Sequence, residues 1–446
     1  MTTMARSPEG RASGPGDALL RFVVETRYED LPKPALEHAR LAVLDWWGVT
    51  VGGADEPVAR ILRETVADGS GPASVLGTRL TAPPLTAALL NGTAAHALDY
   101  DDVTLALPGH LTAPLLPPLL AAAEARGLDG RRLLTAFVLG VEVASRVARA
   151  LGRGHYLAGW HATATLGRLG GAAAVARLLG LDATRLDTAV GLAAAQAAGI
   201  QEAFGSMAKP FQVGRAAADG LLSGLAAEAG MTGPRGILDA GGWARRLSPT
   251  WDPTRLADGL GRDWAIGELI FKRYPCCFAT HAAISGLLAL RVEPQRIERV
   301  ELEVCPTALQ VANQQAPRTG LGGKFSMSYC AAAALLRGHV GEDDFSDPAV
   351  VDPAVQALAA RVTLTANPGF DETRARVLIR LAGGATREAL ADLQAERDAE
   401  AMRRDLTAKF RALVVPRLGE AAAARLVAAI GALDEVDDLR EIARLP

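Results

Sequence analysis

The 446-residue chain is 49% apolar and 5% aromatic, carries 47 basic against 50 acidic residues, and has a formal net charge of −3. That length predicts two domains rather than one small core, while the charge, with no lysine/arginine block, speaks against a nucleic-acid partner. No apolar run reaches the ~18 residues of a membrane span, and the four cysteines (Cys276, Cys277, Cys305 and Cys330) fit no zinc-ligand spacing. Reduced thiols and a cytoplasmic location are therefore expected.

Residues 1–16, MTTMARSPEGRASGPG, lack the apolar core of a signal peptide and read as a disordered leader. Helical periodicity then dominates up to about residue 265. In LPKPALEHARLAVLDWWG, Leu36, Val43, Leu44 and Trp47 form one stripe, with Pro34 in the first turn and Gly48 at the end. The stretches 113–126, 132–151, 162–180, 184–200 and 214–230 repeat the theme, with small residues permitting close helix approach. The period then changes. RIERVELEV places Val300, Leu302 and Val304 on one face and Arg299, Glu301 and Glu303 on the other, a half-buried strand. RVTLTAN and RVLIRLAGG alternate similarly, with helical segments at 278–291 and 326–337. From about residue 396 a charged helical pattern returns. The predicted fold is mainly α: a helical domain from 17–267 and 396–446, with an α+β lid domain, 268–395, inserted between its parts.

Standard catalytic signatures such as GxSxG and HExxH are absent. Lysine usage is more informative, because only five of the 47 basic residues are lysine: Lys33, Lys209, Lys272, Lys324 and Lys409. Arginine cannot easily replace lysine where a compact, deprotonatable ammonium is needed. Three of the five stand in GSMAKPFQVG, FKRYPCC and GGKFSMSY, contexts that suggest an anion-handling site. HALDYDDVTLALPGH, residues 96–110, brackets three aspartates with two histidines. If it is helical, Asp99 and Asp102 are i, i+3 neighbours and Asp101 points elsewhere. A carboxylate near histidine and lysine can act as base or orienter, or can cap a helix. His96 reads as structural. His110 follows a Pro-Gly turn that can present it to a cavity, and His161 stands just before a small-residue helix, facing a cleft or capping that helix. Asp99, Asp102, His96 and His110 form no recognised metal motif, and no metal is expected.

The ordered set AVLDWWGVTVGG, NGTAAHALDYDD, PGH, GWHATATLG, GSMAKPFQVGRAAADG, KRYPCCFATH and KFSMSY resembles the MmgE/PrpD family, from about residue 17 to the C-terminus. That family includes 2-methylcitrate dehydratase, cis-aconitate decarboxylase and iminodisuccinate epimerase. The resemblance implies a helical domain with an α+β lid, no metal or nucleotide cofactor, a homodimer, and a small carboxylate substrate. It places active-site positions on Asp99, His110, His161, Lys209 and Tyr329, and aligns Lys272 and His281 with a basic segment at the lid junction. His161 or Asp99 would take a proton and His110 would give one. Lys209 and Lys272, supported by Arg215, would hold substrate carboxylates, and Tyr329 would close over them. The chain departs from the family pattern at Val103 and Thr104, where threonine, often followed by tryptophan, is usual, and at Gln212, often histidine. Val103, Leu105, Ala106 and Leu107 hint at a smaller or more apolar ligand than citrate. Dehydration or hydration of a hydroxy-carboxylate leads. Decarboxylation of an unsaturated acid or epimerisation beside a carboxylate is the close alternative, and a non-catalytic anion-binding relative is the third.

Overall fold

The computed structural model describes residues 14–66, 69–106, 108–394 and 399–444. Its secondary structure is 62% helix and 9% strand, so the protein is mainly α with a smaller α+β portion. Among the described residues no helix is long and apolar enough to cross a membrane. Of the expected leader, residues 1–13 lie outside the described residues. Its last two residues are helical, because the Pro15–Glu25 helix begins there and Gly16 N donates to Asp239 Oδ1 at 2.8 Å.

Four helices form the heart of the first core: Pro84–Ala97, Thr112–Arg126, Ala162–Leu178 and Ala208–Glu228. Thr112–Arg126 and Ala162–Leu178 are buried almost all round, as their near-absence of charge requires. Small residues set the approach of the outer pair. A Cβ on Gly214 would lie 2.1 Å from Thr93 Oγ1, and one on Gly92 would lie 3.0 Å from Gly214 Cα. The same device explains why the first predicted helix does not stop at Gly48. It runs Lys33–Gly53, and Gly48 seats Phe410 of the Ala399–Leu418 helix against its backbone. The 184–200 prediction ends at Ala195. The 214–230 prediction begins earlier, at Ala208, which places Lys209 and Gln212 in the first turns of a helix.

A two-stranded ribbon, β1 (Ala73–Ser74) with β2 (Thr81–Ala82), precedes the main sheet. That sheet has the order β4-β3-β5-β6, with β3 (Ile297–Val304) parallel to β4 (Val362–Ala366) and antiparallel to β5 (Arg374–Leu381). β6 (Thr386–Asp392) closes a hairpin on β5 through Gly383 and Gly384, both at positive φ. Val300, Leu302 and Val304 are buried, as the alternation predicts, and pair in register with Ile379, Val377 and Ala375. The sequence reading missed β6: TREALAD is built from helix formers, and its strand state comes from pairing with β5. The helices His281–Leu290 and Met327–Arg337 share a hydrophobic cluster with this sheet, and Gly286 sits against Val377. The other cluster draws on residues 19–269 and 410–443.

Candidate active site

The Pro84–Ala97 helix ends at Leu98, and Asp99 follows at φ +52°, a left-handed conformation that aspartate tolerates better than most residues. This bend sends the three aspartates in different directions, so the helix that would have made Asp99 and Asp102 i, i+3 neighbours does not extend through them. Asp102 accepts from Thr112 N at 3.1 Å, from the Thr112 hydroxyl, and from Leu111 N at 3.3 Å, so it secures the start of the next helix. Burial and the neighbouring Asp101 charge push its carboxyl up to about 7. Asp101 does not point away from the histidines. Its Oδ2 lies 2.8 Å from His96 Nδ1 and 3.3 Å from His110 Nδ1.

Asp99 lies between two ammoniums. Lys209 Nζ donates to Oδ1, while Lys272 Nζ lies 3.2 Å from Oδ2 and donates to the Asp99 carbonyl at 2.7 Å. Burial alone would raise the Asp99 pKa, but Lys209 and Lys272 outweigh it and hold the carboxyl well below the usual range. Burial would likewise lower Lys272, and Asp99 and Asp101 outweigh it to raise it. Lys209 also faces the rings of Phe325 and Phe204, at 5.0 and 5.4 Å from their centroids. The structure takes Lys324 and Lys409 to the same turn but not to the cavity: Lys324 Nζ donates to Leu98 O at 2.5 Å and Lys409 Nζ to Tyr100 O at 2.7 Å. Lys409 also pairs with buried Asp45 at 2.7 Å.

His96 lies at the centre of a histidine cluster, edge-on to the His110 ring at 4.5 Å and stacked on that of His161 at 6.0 Å. Burial pushes His96 down to about 4 and His161 well below its ordinary value, and it lowers His110 despite the Asp101 charge. His161 occupies the N-cap position of the Ala162–Leu178 helix, but its side chain makes no capping bond. Its Nδ1 lies 2.8 Å from Gln212 Oε1, and its Nε2 has no partner among the described residues. Thr163 accepts from His110 N at 3.1 Å and holds that residue's backbone against the same helix.

A concave pocket is lined by Asp99, His110, His161, Lys209 and Lys272, the kind of setting in which small ligands are held. Val103, Thr104 and Leu105 line it too, and the Thr104 hydroxyl is buried without a partner. Leu107 lies outside the described residues. Sequence reasoning missed the aromatic walls, Phe204, Phe278, Phe325 and Tyr156, and the lid carboxylate Glu372, which Arg153 meets at 2.7 Å. No local pattern marks these residues, because they arrive from separate segments.

Four expected positions stand elsewhere. Tyr329 is wholly buried in the lid, its hydroxyl donating to Asp344 O and its ring packed near Phe345, so it does not close over the pocket. His281 is buried with Nε2 3.3 Å from Cys276 O and its ring against Tyr274 and Phe278. Arg215 pairs with Asp219 at 2.6 Å and does not line the pocket, because a helical position six after Lys209 lies about 120° round the helix from it. Gln212 contacts His161 rather than the pocket.

His96, Asp99 and His110 could each offer one ligand atom within 4.8 Å of the others. The donor set does not suit a cation, however. Asp99 already faces two ammoniums, His96 has committed Nδ1 to Asp101, and Asp102 is committed to Thr112. No metal-dependent step follows from it.

A lysine-flanked carboxylate beside a histidine cluster lines a pocket formed by residues of the helical core and of the α+β portion, and this arrangement is matched by a known family. Residues 17–256 match the MmgE/PrpD N-terminal domain and residues 274–435 the MmgE/PrpD C-terminal domain, and the chain belongs to this family. It is 30% identical to a cis-aconitate decarboxylase-like protein of Aspergillus oryzae, over 87% of each chain. The mouse cis-aconitate decarboxylase is 29% identical over 81% of this chain and 78% of its own. The 2-methylcitrate dehydratase of Salmonella typhimurium is 23% identical over 77% and 76%.

Proposed function

We propose that the protein is a cofactor-independent lyase that dehydrates a small hydroxy-carboxylate, or hydrates the unsaturated product, by moving a proton at the carbon next to a carboxylate. The observation that carries this reading is the pairing of an unpartnered imidazole nitrogen, His161 Nε2, with His110 on the wall of a pocket that also holds Lys209 and Lys272. Removing such a proton drives negative charge onto the carboxylate oxygens, and preformed cations stabilise that charge most effectively where water is excluded. Two ammoniums against the single Asp99 carboxylate leave one positive charge for the substrate. In the forward step His161 Nε2 takes the α-proton, the C–H electron pair forms the double bond, and the C–O bond breaks. His110, as imidazolium, gives its proton to the departing hydroxyl, which leaves as water. The substrate anion and Asp101 both favour the charged form of His110.

Decarboxylation of an unsaturated acid is the second reading, favoured by identities of 27–30% to several proteins named for that activity against 23% to the dehydratases. Epimerisation beside a carboxylate, which needs bases on opposite faces of one carbon, is the third reading. The test is proton NMR in D2O with 2-methylcitrate, citrate, malate and cis-aconitate, together with CO2 capture. An olefinic signal from a hydroxy acid without CO2 is expected. CO2 release would replace this reading with decarboxylation, and silence across the panel would leave an anion-binding relative. The proposed partner in solution is a second copy, for which exposed Ile61, Met207 and Phe211 offer an apolar surface; light scattering measures the state.

A further inference from the structure

We propose that Gln212 is a positioning residue that decides which nitrogen of His161 is free to accept a proton. Its side chain touches only His161 and the backbone of Ile200 among the hydrogen bonds described. Oε1 accepts from Ile200 N at 3.2 Å and faces His161 Nδ1 at 2.8 Å, while Nε2 donates to Ile200 O at 3.4 Å. The Ile200 backbone fixes the orientation of this amide. Were it flipped, an NH2 would meet the Ile200 N–H and a carbonyl would meet the Ile200 carbonyl, two repulsive pairings. With Oε1 held toward the imidazole, the partner at Nδ1 is an acceptor, so Nδ1 carries the hydrogen. A neutral imidazole has one N–H, and Nε2 is left as a bare lone pair. That nitrogen is the one without a protein partner.

The neighbourhood keeps the ring in this state. His161 N donates to Gly199 O at 3.0 Å, which ties its backbone to the residue next to Ile200. Gly199 adopts φ +133°, and a Cβ there would lie 2.6 Å from Ala164 and 3.1 Å from Gln212 Oε1, so only glycine lets the segment come this close to the amide and to the His161 helix. The titratable groups facing His161 are His96, Lys209 and His110, each from a different element, and none supplies a carboxylate to it. The contrast with Asp101 is chemical. Asp101 offers a full negative charge to Nδ1 of His96 and of His110, and so favours their charged forms. Gln212 offers a neutral carbonyl, which orients His161 without stabilising its imidazolium by a full charge. His161 is thereby a neutral, weak base that releases its proton again, and His110 is the partner better suited to being cationic. Gln212 stands three residues after Lys209, so the same helical turn places the ammonium and selects the base.

The tautomer does not depend on turnover; only its kinetic consequence rests on the lyase reading. The experiment is a long-range proton–nitrogen correlation on the full chain labelled with 15N-histidine, at pH 7.5, with the His161 signals assigned by loss in His161→Asn. A protonated Nδ1 and an unprotonated Nε2 are expected in the unsubstituted protein, and a hydrogen on Nε2 there would overturn the proposal without need of any variant. Gln212→Leu should shift His161 partly or wholly to the Nε2–H form and lower kcat by about 100-fold or more, within the range of general-base contributions. Gln212→Glu should keep Nδ1–H, raise the pH at which His161 becomes charged, and move the acid limb of the kcat/KM profile upward with little change in KM. A packing role alone would leave the tautomer and that limb in place, and such a result would also overturn the proposal. If the tautomer is as stated while no acid in the panel reacts, the lyase reading falls and this one stands.

Discussion

Asp99 is the residue on which the site's charges balance. Its two ammonium partners are buried with it, so loss of Lys209 leaves Asp99 paired with Lys272 but strips a buried carboxylate oxygen of its donor, a defect that costs about 1–3 kcal/mol. Lys209→Ala is expected to lower kcat by about 100- to 1,000-fold and to shift the urea midpoint down, while the far-ultraviolet circular dichroism is unchanged. Near-normal turnover would remove Lys209 from the mechanism. The buried histidines give a second prediction. His96 is held down to about 4 and His161 and His110 are lowered, whereas the unfolded chain takes up these protons near 6.5. At these histidines the unfolded state binds more protons on acidification, so their contribution to stability is full above about pH 6.5 and falls as pH drops toward 4. For His96 alone the loss by pH 5 is about 2 kcal/mol. Asp102, held up to about 7, takes up a proton in the fold over the same range and opposes it. The histidine is therefore read directly by titrating the native 15N-histidine-labelled protein, where a neutral His96 at pH 5 is expected and a charged one would refute the assignment. At this scale the sequence exposes residue types but not roles. HALDYDD announces chemistry, yet nothing in it says that Asp101 serves the histidines and Asp102 the next helix, because the division follows from the positive φ of Asp99.

Helix crossings turn those residues into a site. Asp99 follows one helix and Lys209 begins another, and the two helices meet where Gly92 and Gly214 allow their backbones together. A methyl at Gly214 would press on Thr93 Oγ1 and, at 2.5 Å, on Leu89 O, which cannot swing aside. Gly214→Ala should therefore cost about 1–3 kcal/mol by overpacking and reduce activity by displacing Lys209 from Asp99. Gly431→Ala, a glycine at the end of the Glu420–Gly431 helix whose added methyl meets nothing within 4 Å, should leave both unchanged within error. Equal behaviour of the two variants would refute the close-crossing account. Long helices and β3 were legible because their periods of 3.6 and 2 were regular. Gly48 was misread as a helix end and TREALAD went unassigned, since glycine in a tight helix pair and a strand on a sheet edge both follow from a neighbour. Leu390, 67% exposed on β6, shows how little of that strand's pattern comes from burial.

Across the whole molecule, the acidic turn is the point where both parts of the fold meet. Lys324 from the lid, Lys272 from the connection into it and Lys409 from the returning C-terminal helix donate to three successive carbonyls, those of Leu98, Asp99 and Tyr100. Arg153 adds a second bridge, to Glu372 and Thr307 of the lid. Lys324→Met, which removes a charge that does not line the pocket, should loosen the lid: faster limited proteolysis around residues 268–276 and a lower kcat are expected together. Unchanged proteolysis would mean that the lid is held by its apolar contacts alone.

The sequence by itself determined the mainly helical class, the buried face of β3, the family, and the gathering of Asp99, His110, His161, Lys209 and Lys272 as candidates, because periodicity and rare residue types are local properties. Only the tertiary structure decided that Tyr329, His281 and Arg215 stand away from the pocket, that aromatic side chains from several segments wall it, and that Gln212 acts on His161. Those outcomes depend on which faces of distant helices meet and on where single hydrogen-bond donors and acceptors fall, and neither is written into residue spacing along the chain.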